Sequence, residues 1–223
     1  PSRHRGGALH TLEVTDMTLF KAKVTVLAAV LALGAAGTAA AAPAETDGHT
    51  MQMHMGDSAV QDKKAEIQMD YLEHRGERRY IDLYNLHVFR QYKEMHGMSL
   101  HWGLTVSRAV GSWAEKDTPD VRLDSSAVGV GPAYMVRWTK PLGSKWEASF
   151  DATGGVLVYN DVHPAHTRNY GFMWRIGPRV TYKFNERNAL SVAYLGHHVS
   201  NGQRTKNPGY NGIGLSIGYR YAY

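Results

Sequence analysis

The chain has 223 residues, 43% of them hydrophobic, which is enough to bury a core, yet 23 glycines and 13 tyrosines argue against an ordinary helical domain. A formal charge of +5 suits contact with anionic partners such as phosphorylated lipid, and is equally what a solvated surface carries. The absence of cysteine excludes disulfides and thiolate chemistry.

Residues 1–16 show no periodicity and read as an upstream extension, with Met17 as the initiator. Lys21 and Lys23 then precede the apolar run Val24 to Ala36 and an alanine-rich end. A basic start, a short apolar core and small residues at the close make residues 17–44 a secretory signal peptide, the run being too short for a membrane-spanning helix. Residues 45–65 form a polar, flexible linker. It contains His49, Met51, Met53, His54 and Met55, ligand types that copper accepts, although a mobile tail needs no metal to explain it.

From residue 66 onward no other run of 18 apolar residues occurs, so a protein that spans a membrane here must do so with strands. Eight segments alternate with period two: 66–74, 79–92, 97–109, 126–139, 145–159, 169–184, 189–200 and 211–223. Most reach the roughly 9–11 residues that a tilted spanning strand needs. In the last one, Ile213, Leu215, Ile217, Tyr219, Tyr221 and Tyr223 share one face, while Gly212, Gly214, Ser216, Gly218, Arg220 and Ala222 share the other. Met98, Leu100, Trp102, Leu104 and Val106 alternate in the same way, as do Tyr170, Phe172, Trp174 and Ile176. The first segment, with Asp70, Glu73 and His74, has the weakest pattern. Short and long connections alternate, the long ones falling at 110–125, 160–168 and 201–210. The expected fold is therefore all-β, an eight-stranded antiparallel transmembrane barrel over residues 66–223, with tyrosine and tryptophan suited to its interfaces. At eight strands the lumen is just wide enough to be filled by side chains, which disfavours transport.

In the segment 189–200, Leu190, Val192 and Tyr194 define the lipid face, and counting by twos carries that face through Gly196 to His198 and Ser200. Asn211 has the parity of Ile213 and faces lipid too, whereas His197 points into the lumen. A serine becomes a useful nucleophile when a base takes its proton, and the base works better when a third group orients it. His198, Ser200 and Asn211 supply those types, with the Asn201 amide and the Gly202 backbone N–H as candidate oxyanion donors. By spacing alone, His-x-Ser fits either a catalytic pair or a polar strand end at headgroup level. Polar groups on a lipid face are costly and tend to be functional.

The run Gly-His-His-Val-Ser-Asn-Gly from Gly196, followed by Asn-Pro-Gly-Tyr-Asn-Gly-Ile-Gly-Leu, resembles the His-x-Ser-Asn signature and C-terminal hairpin of the outer-membrane lipid A 3-O-deacylase (PagL) family. The specific match covers residues 195–223. That resemblance implies a Gram-negative outer-membrane esterase that removes an ester-linked acyl chain from lipid A without metal or organic cofactor. His198 would be the base, Ser200 the nucleophile and Asn201 an oxyanion residue, while Arg204 and Lys206 would contact lipid A phosphates. The family's acidic triad member falls near Asn211, where this chain has an amide, and Gln203 stands where a second oxyanion glycine is expected. Lipid A and membrane lipid are the expected partners; nucleic acid is not, and a homodimer is compatible with such a barrel. The competing readings are a structural or adhesive barrel with a vestigial site, and a small-solute pore.

Overall fold

The computed structural model of the protein describes residues 63–202, 207 and 209–223. The upstream extension, the signal peptide, nearly all of the linker with its histidines and methionines, and Gln203, Arg204 and Lys206 lie outside those residues.

Nine antiparallel strands follow one another in the described residues: β1 (Lys64–Arg75), β2 (Arg79–Met95), β3 (Met98–Ala114), β4 (Arg122–Asp124), β5 (Ala127–Pro141), β6 (Trp146–Tyr159), β7 (Tyr170–Lys183), β8 (Asn188–Ser200) and β9 (Tyr210–Ala222). The sheet runs β2-β1-β9-β8-β7-β6-β5-β3, and the β2–β3 pairing closes it into a barrel of eight long strands. Closure leaves no free edge along the spanning parts of the eight long strands, and a chain that crosses hydrocarbon must do this because no water is present there to satisfy free N–H and C=O groups. The short β4 is an addition that the alternation did not reveal. It pairs only with the far end of β3, through Ser112, Trp113 and Ala114, so β3 continues five residues beyond the expected Ala109.

The outer surface carries the apolar half of each alternation. Trp102, Leu104, Val130, Val158, Trp174 and Val192 are among the exposed apolar side chains. Aromatic rings gather at the end where β1 begins and β9 finishes: Trp146 and Tyr182 have ring centroids 4.8 Å apart, and Trp138 lies 6.5 Å from Phe150. Such rings place an apolar body and a polar tip at a membrane interface. The connections at this end, around residues 96–97, 142–145 and 184–187, are short. The opposite end carries the long ones.

Inside, the lumen is filled. The polar first strand is explained here, because Glu66, Gln68 and Asp70 all point inward and are buried. Arg137 donates to Glu66 at 2.7 Å and through Nε to Asp151 at 2.7 Å, while Arg179 donates through Nε to the same Asp151 at 2.7 Å. Arg175 donates to Asp70 at 2.6 Å and also to Gln68, and His87 bridges Asp70 and Thr105. Pairing is what makes buried charge tolerable: removing one partner of such a network costs roughly 3–5 kcal/mol, because the other is left uncompensated. Toward the end with long connections the filling becomes apolar, with Leu72, Ile81, Leu83, Leu157, Leu195 and Tyr210 buried. A lumen packed in this way favours a rigid scaffold over a pore.

Candidate active site

Strands β7, β8 and β9 place the polar residues of the last hairpin. Register pairs Trp174 with His198 and Phe172 with Ser200 across β7–β8, and His198 with Asn211 across β8–β9. His198 and Ser200 are successive residues of one face, with Cα atoms roughly 6.7 Å apart at the usual strand rise. His197, of the opposite parity, is buried in the lumen opposite Arg175.

His198 is held on three sides. Its Nδ1 lies 2.7 Å from Asn211 Oδ1. An amide oxygen can only accept, so Nδ1 carries the proton and donates it, which leaves the lone pair on Nε2. The Trp174 ring lies against the imidazole, with centroids 5.6 Å apart and planes inclined by 28°. At the other edge stands Gly209, where an added Cβ would come within 2.8 Å of His198 Cε1 and 3.1 Å of Nε2. Only a glycine fits there without pushing the ring aside.

Ser200 is half-buried on the same face. Among the described residues no hydrogen bond joins its hydroxyl to His198, and a nucleophile and base at such spacing can close that contact once substrate is in place. Asn201, the residue after β8, is buried, its backbone N–H donating to Asn207 Oδ1 at 3.0 Å. Gly202 turns the chain with φ of 68°, in the left-handed region, and a Cβ there would meet the Phe172 ring at 3.0 Å. The structure thus brings His198 and Asn211 into contact, with Ser200 beside them.

Barrel closure adds neighbours that local spacing does not reveal. On the far flank of β9, β1 presents Arg75 opposite Asn211 and Glu73 opposite Ile213. Both are exposed. A row therefore runs Trp174, His198, Asn211, Arg75 across four strands. Trp174 was visible in the sequence as an outward aromatic; its stacking on His198, and the part played by Gly209, were not.

A model of the lipid A 3-O-deacylase (PagL) family matches residues 84–220, which is more than half of the chain. The chain belongs to that family. Membership in the PagL family implies an outer-membrane enzyme that deacylates lipid A, and the apolar belt of the closed barrel agrees with that location. No curated protein matches the chain. Among solved structures, the outer-membrane enzyme PagL is similar at 15% identity, covering 71% of this chain and 99% of its own, with a TM-score of 0.46. Neisserial surface protein A is similar at 10% identity, covering 72% and 97%, with a TM-score of 0.49. A major outer membrane protein from Thermus thermophilus is similar at 8% identity, covering 73% and 98%, with a TM-score of 0.42.

Proposed function

We propose that this PagL-family barrel hydrolyses the 3-O-linked acyl ester of lipid A by a serine–histidine mechanism on its lipid face. The observation that supports this most is the His198 Nδ1 to Asn211 Oδ1 contact at 2.7 Å, because it fixes the tautomer in which Nε2 is free to act as a base. Ser200 Oγ attacks the ester carbonyl while its proton passes to Nε2. The tetrahedral oxyanion then collapses, the sugar hydroxyl leaves with the proton from His198, and water hydrolyses the acyl-serine by the same route to give a free fatty acid.

Asn211 holds the base through a neutral bond. A carboxylate would stabilise the developing imidazolium more strongly, so the amide lowers the rate without removing the orientation. Gly202 supplies an oxyanion donor through its backbone N–H, with the Asn201 side-chain amide as the second candidate donor. Arg75, opposite Asn211, joins Arg204 and Lys206 as a cation for the phosphates of lipid A.

The assay uses the purified barrel in detergent micelles with lipopolysaccharide. Mass spectrometry should show lipid A lighter by one acyl chain, with fragment ions assigning the loss to the 3-position and an equivalent of fatty acid released. Intact lipid A after incubation with folded barrel would leave the structural-barrel reading, for which the amide at Asn211 is the supporting feature. Loss from another position would overturn the 3-O assignment.

A further inference from the structure

We infer that Tyr210, held from inside the barrel by His163, is a positioning residue for His198: it sets Gly209 and Asn211 at the two edges of the imidazole ring. The inference rests on the reading of His198 as the base.

Tyr210 is the first residue of β9, so alternation sends its ring into the lumen and its neighbour Asn211 to the lipid face. Both residues beside it in the chain flank His198: one bonds it, and the other leaves no room for a Cβ against it. Asn211 Oδ1 accepts from Nδ1 at 2.7 Å, and Gly209 abuts the edge formed by Cε1 and Nε2. Wherever the backbone at Tyr210 goes, both edges of the ring must follow.

That backbone is anchored through the side chain. Tyr210 is 0% exposed, and its hydroxyl lies 2.7 Å from Nε2 of His163, itself 1% exposed. His163 belongs to the connection between β6 and β7, two to three strands round the barrel mouth from β9. Its Nδ1 lies 2.7 Å from the Ser125 carbonyl, which can only accept, so Nδ1 donates and Nε2 receives the Tyr210 O–H. Burial pushes the His163 imidazole down to about 4, which keeps it neutral and keeps that acceptor available. Ser125 Oγ accepts the Ala165 N–H at 3.1 Å, tying the same segments a second time. Tyr159 completes the packing, with its ring centroid 4.5 Å from that of His163.

A strand end is where a sheet frays, and β9 begins directly after a long connection. A tyrosine that served only to plug the mouth would also need a partner for its buried hydroxyl, but it would need no place between two residues that flank one ring. The bond to His163 removes the freedom of the strand end at the position where a small displacement would release the base, and misplacement of about 1 Å can cost on the order of a hundredfold in rate.

The test compares Tyr210→Phe, which removes only the hydroxyl, and His163→Gln with the wild-type barrel in micelles containing lipopolysaccharide. Tyr210→Phe should lower kcat about fivefold to tenfold with KM nearly unchanged and only a modest fall in unfolding temperature, since it leaves the buried His163 Nε2 unpaired. In an Asn211→Ala background the same substitution should cost clearly less, since one of the two edges it positions is gone. Histidine-selective 15N NMR, with the His198 signal assigned from His198→Asn, gives a readout that needs no turnover. The wild type should show a fixed Nδ1–H tautomer, and Tyr210→Phe an averaged one. An unchanged tautomer, or an equal loss in both backgrounds, overturns the positioning role. A wild-type barrel with the fixed tautomer that leaves lipid A intact overturns the proposed function and spares the positioning.

Discussion

His197 and His198 are consecutive on β8 and meet opposite media. His197 is buried within a lumen whose arginines are answered by carboxylates, so that Glu66, Asp70 and Asp151 compensate Arg137, Arg175 and Arg179. His198 stands on the lipid face, where one neutral amide holds one nitrogen and no hydrogen bond reaches the other among the described residues. The charged groups of the lumen pair with one another and brace the barrel, although both ring nitrogens of His197 lack a hydrogen-bond partner among the described residues, whereas His198 and Ser200 sit on the face toward lipid, where a substrate from the bilayer can reach them. Rigidity on one face is what lets so few residues hold a geometry on the other.

The sharpest way to break this comparison is to remove the chemistry from the lipid face alone. Ser200→Ala and His198→Asn should each lower deacylation by on the order of 10³–10⁴-fold, and the double variant should fall no further, because members of such a unit do not add. Heat-modified mobility on gels should show that both variants assemble. Near wild-type turnover in either removes that residue from the mechanism.

Next in size is the reverse substitution, in the lumen. Asp151→Ala strips Arg179 of its carboxylate at Nε and Arg137 of one of two, and should cost roughly 3–5 kcal/mol of stability in urea unfolding. Turnover per folded barrel should stay as it was. A fall in turnover without a loss of stability would mean that the network acts on the site directly.

Asn211 should give a smaller effect in both directions. Asn211→Ala should lower kcat about tenfold, the worth of one neutral hydrogen bond, while Asn211→Glu should raise it a few-fold by placing charge beside the imidazolium. The carboxylate also carries a desolvation cost at the lipid face, so folded yield must be measured with the rate. If both substitutions leave turnover per folded barrel unchanged, Glu73 on the far flank of β9 becomes the residue to examine.

The smallest expected effect is at His197. His197→Gln should change turnover less than twofold, since the side chain faces the lumen. Loss of activity there, with His198→Gln neutral, would mean that β8 is slipped by one residue and that the two faces are exchanged.

Much of this was legible along the chain, because a strand repeats every two residues and parity is a local property. The eight long strands, the lipid face shared by His198, Ser200 and Asn211, and the inward turn of His197 follow from counting. The first strand was the hardest to see because hydropathy marks only the face toward lipid. The polar Glu66, Gln68 and Asp70 meet arginines contributed by β5 and β7, more than sixty residues away. The same holds for β4, which pairs beyond the apolar belt, where no apolar face needs to repeat.

What only the tertiary structure decided is everything that depends on closure and on the barrel mouth. Pairing β1 with β9 puts Arg75 beside Asn211, although they stand at opposite ends of the described barrel sequence. His163 reaches Tyr210 from a connection 47 residues earlier. Gly209 meets the His198 ring because the returning strand folds back against it. Period and composition specify which way a side chain points; they carry no distance between strands far apart in the chain. Those distances are set when the sheet closes and its interior is packed.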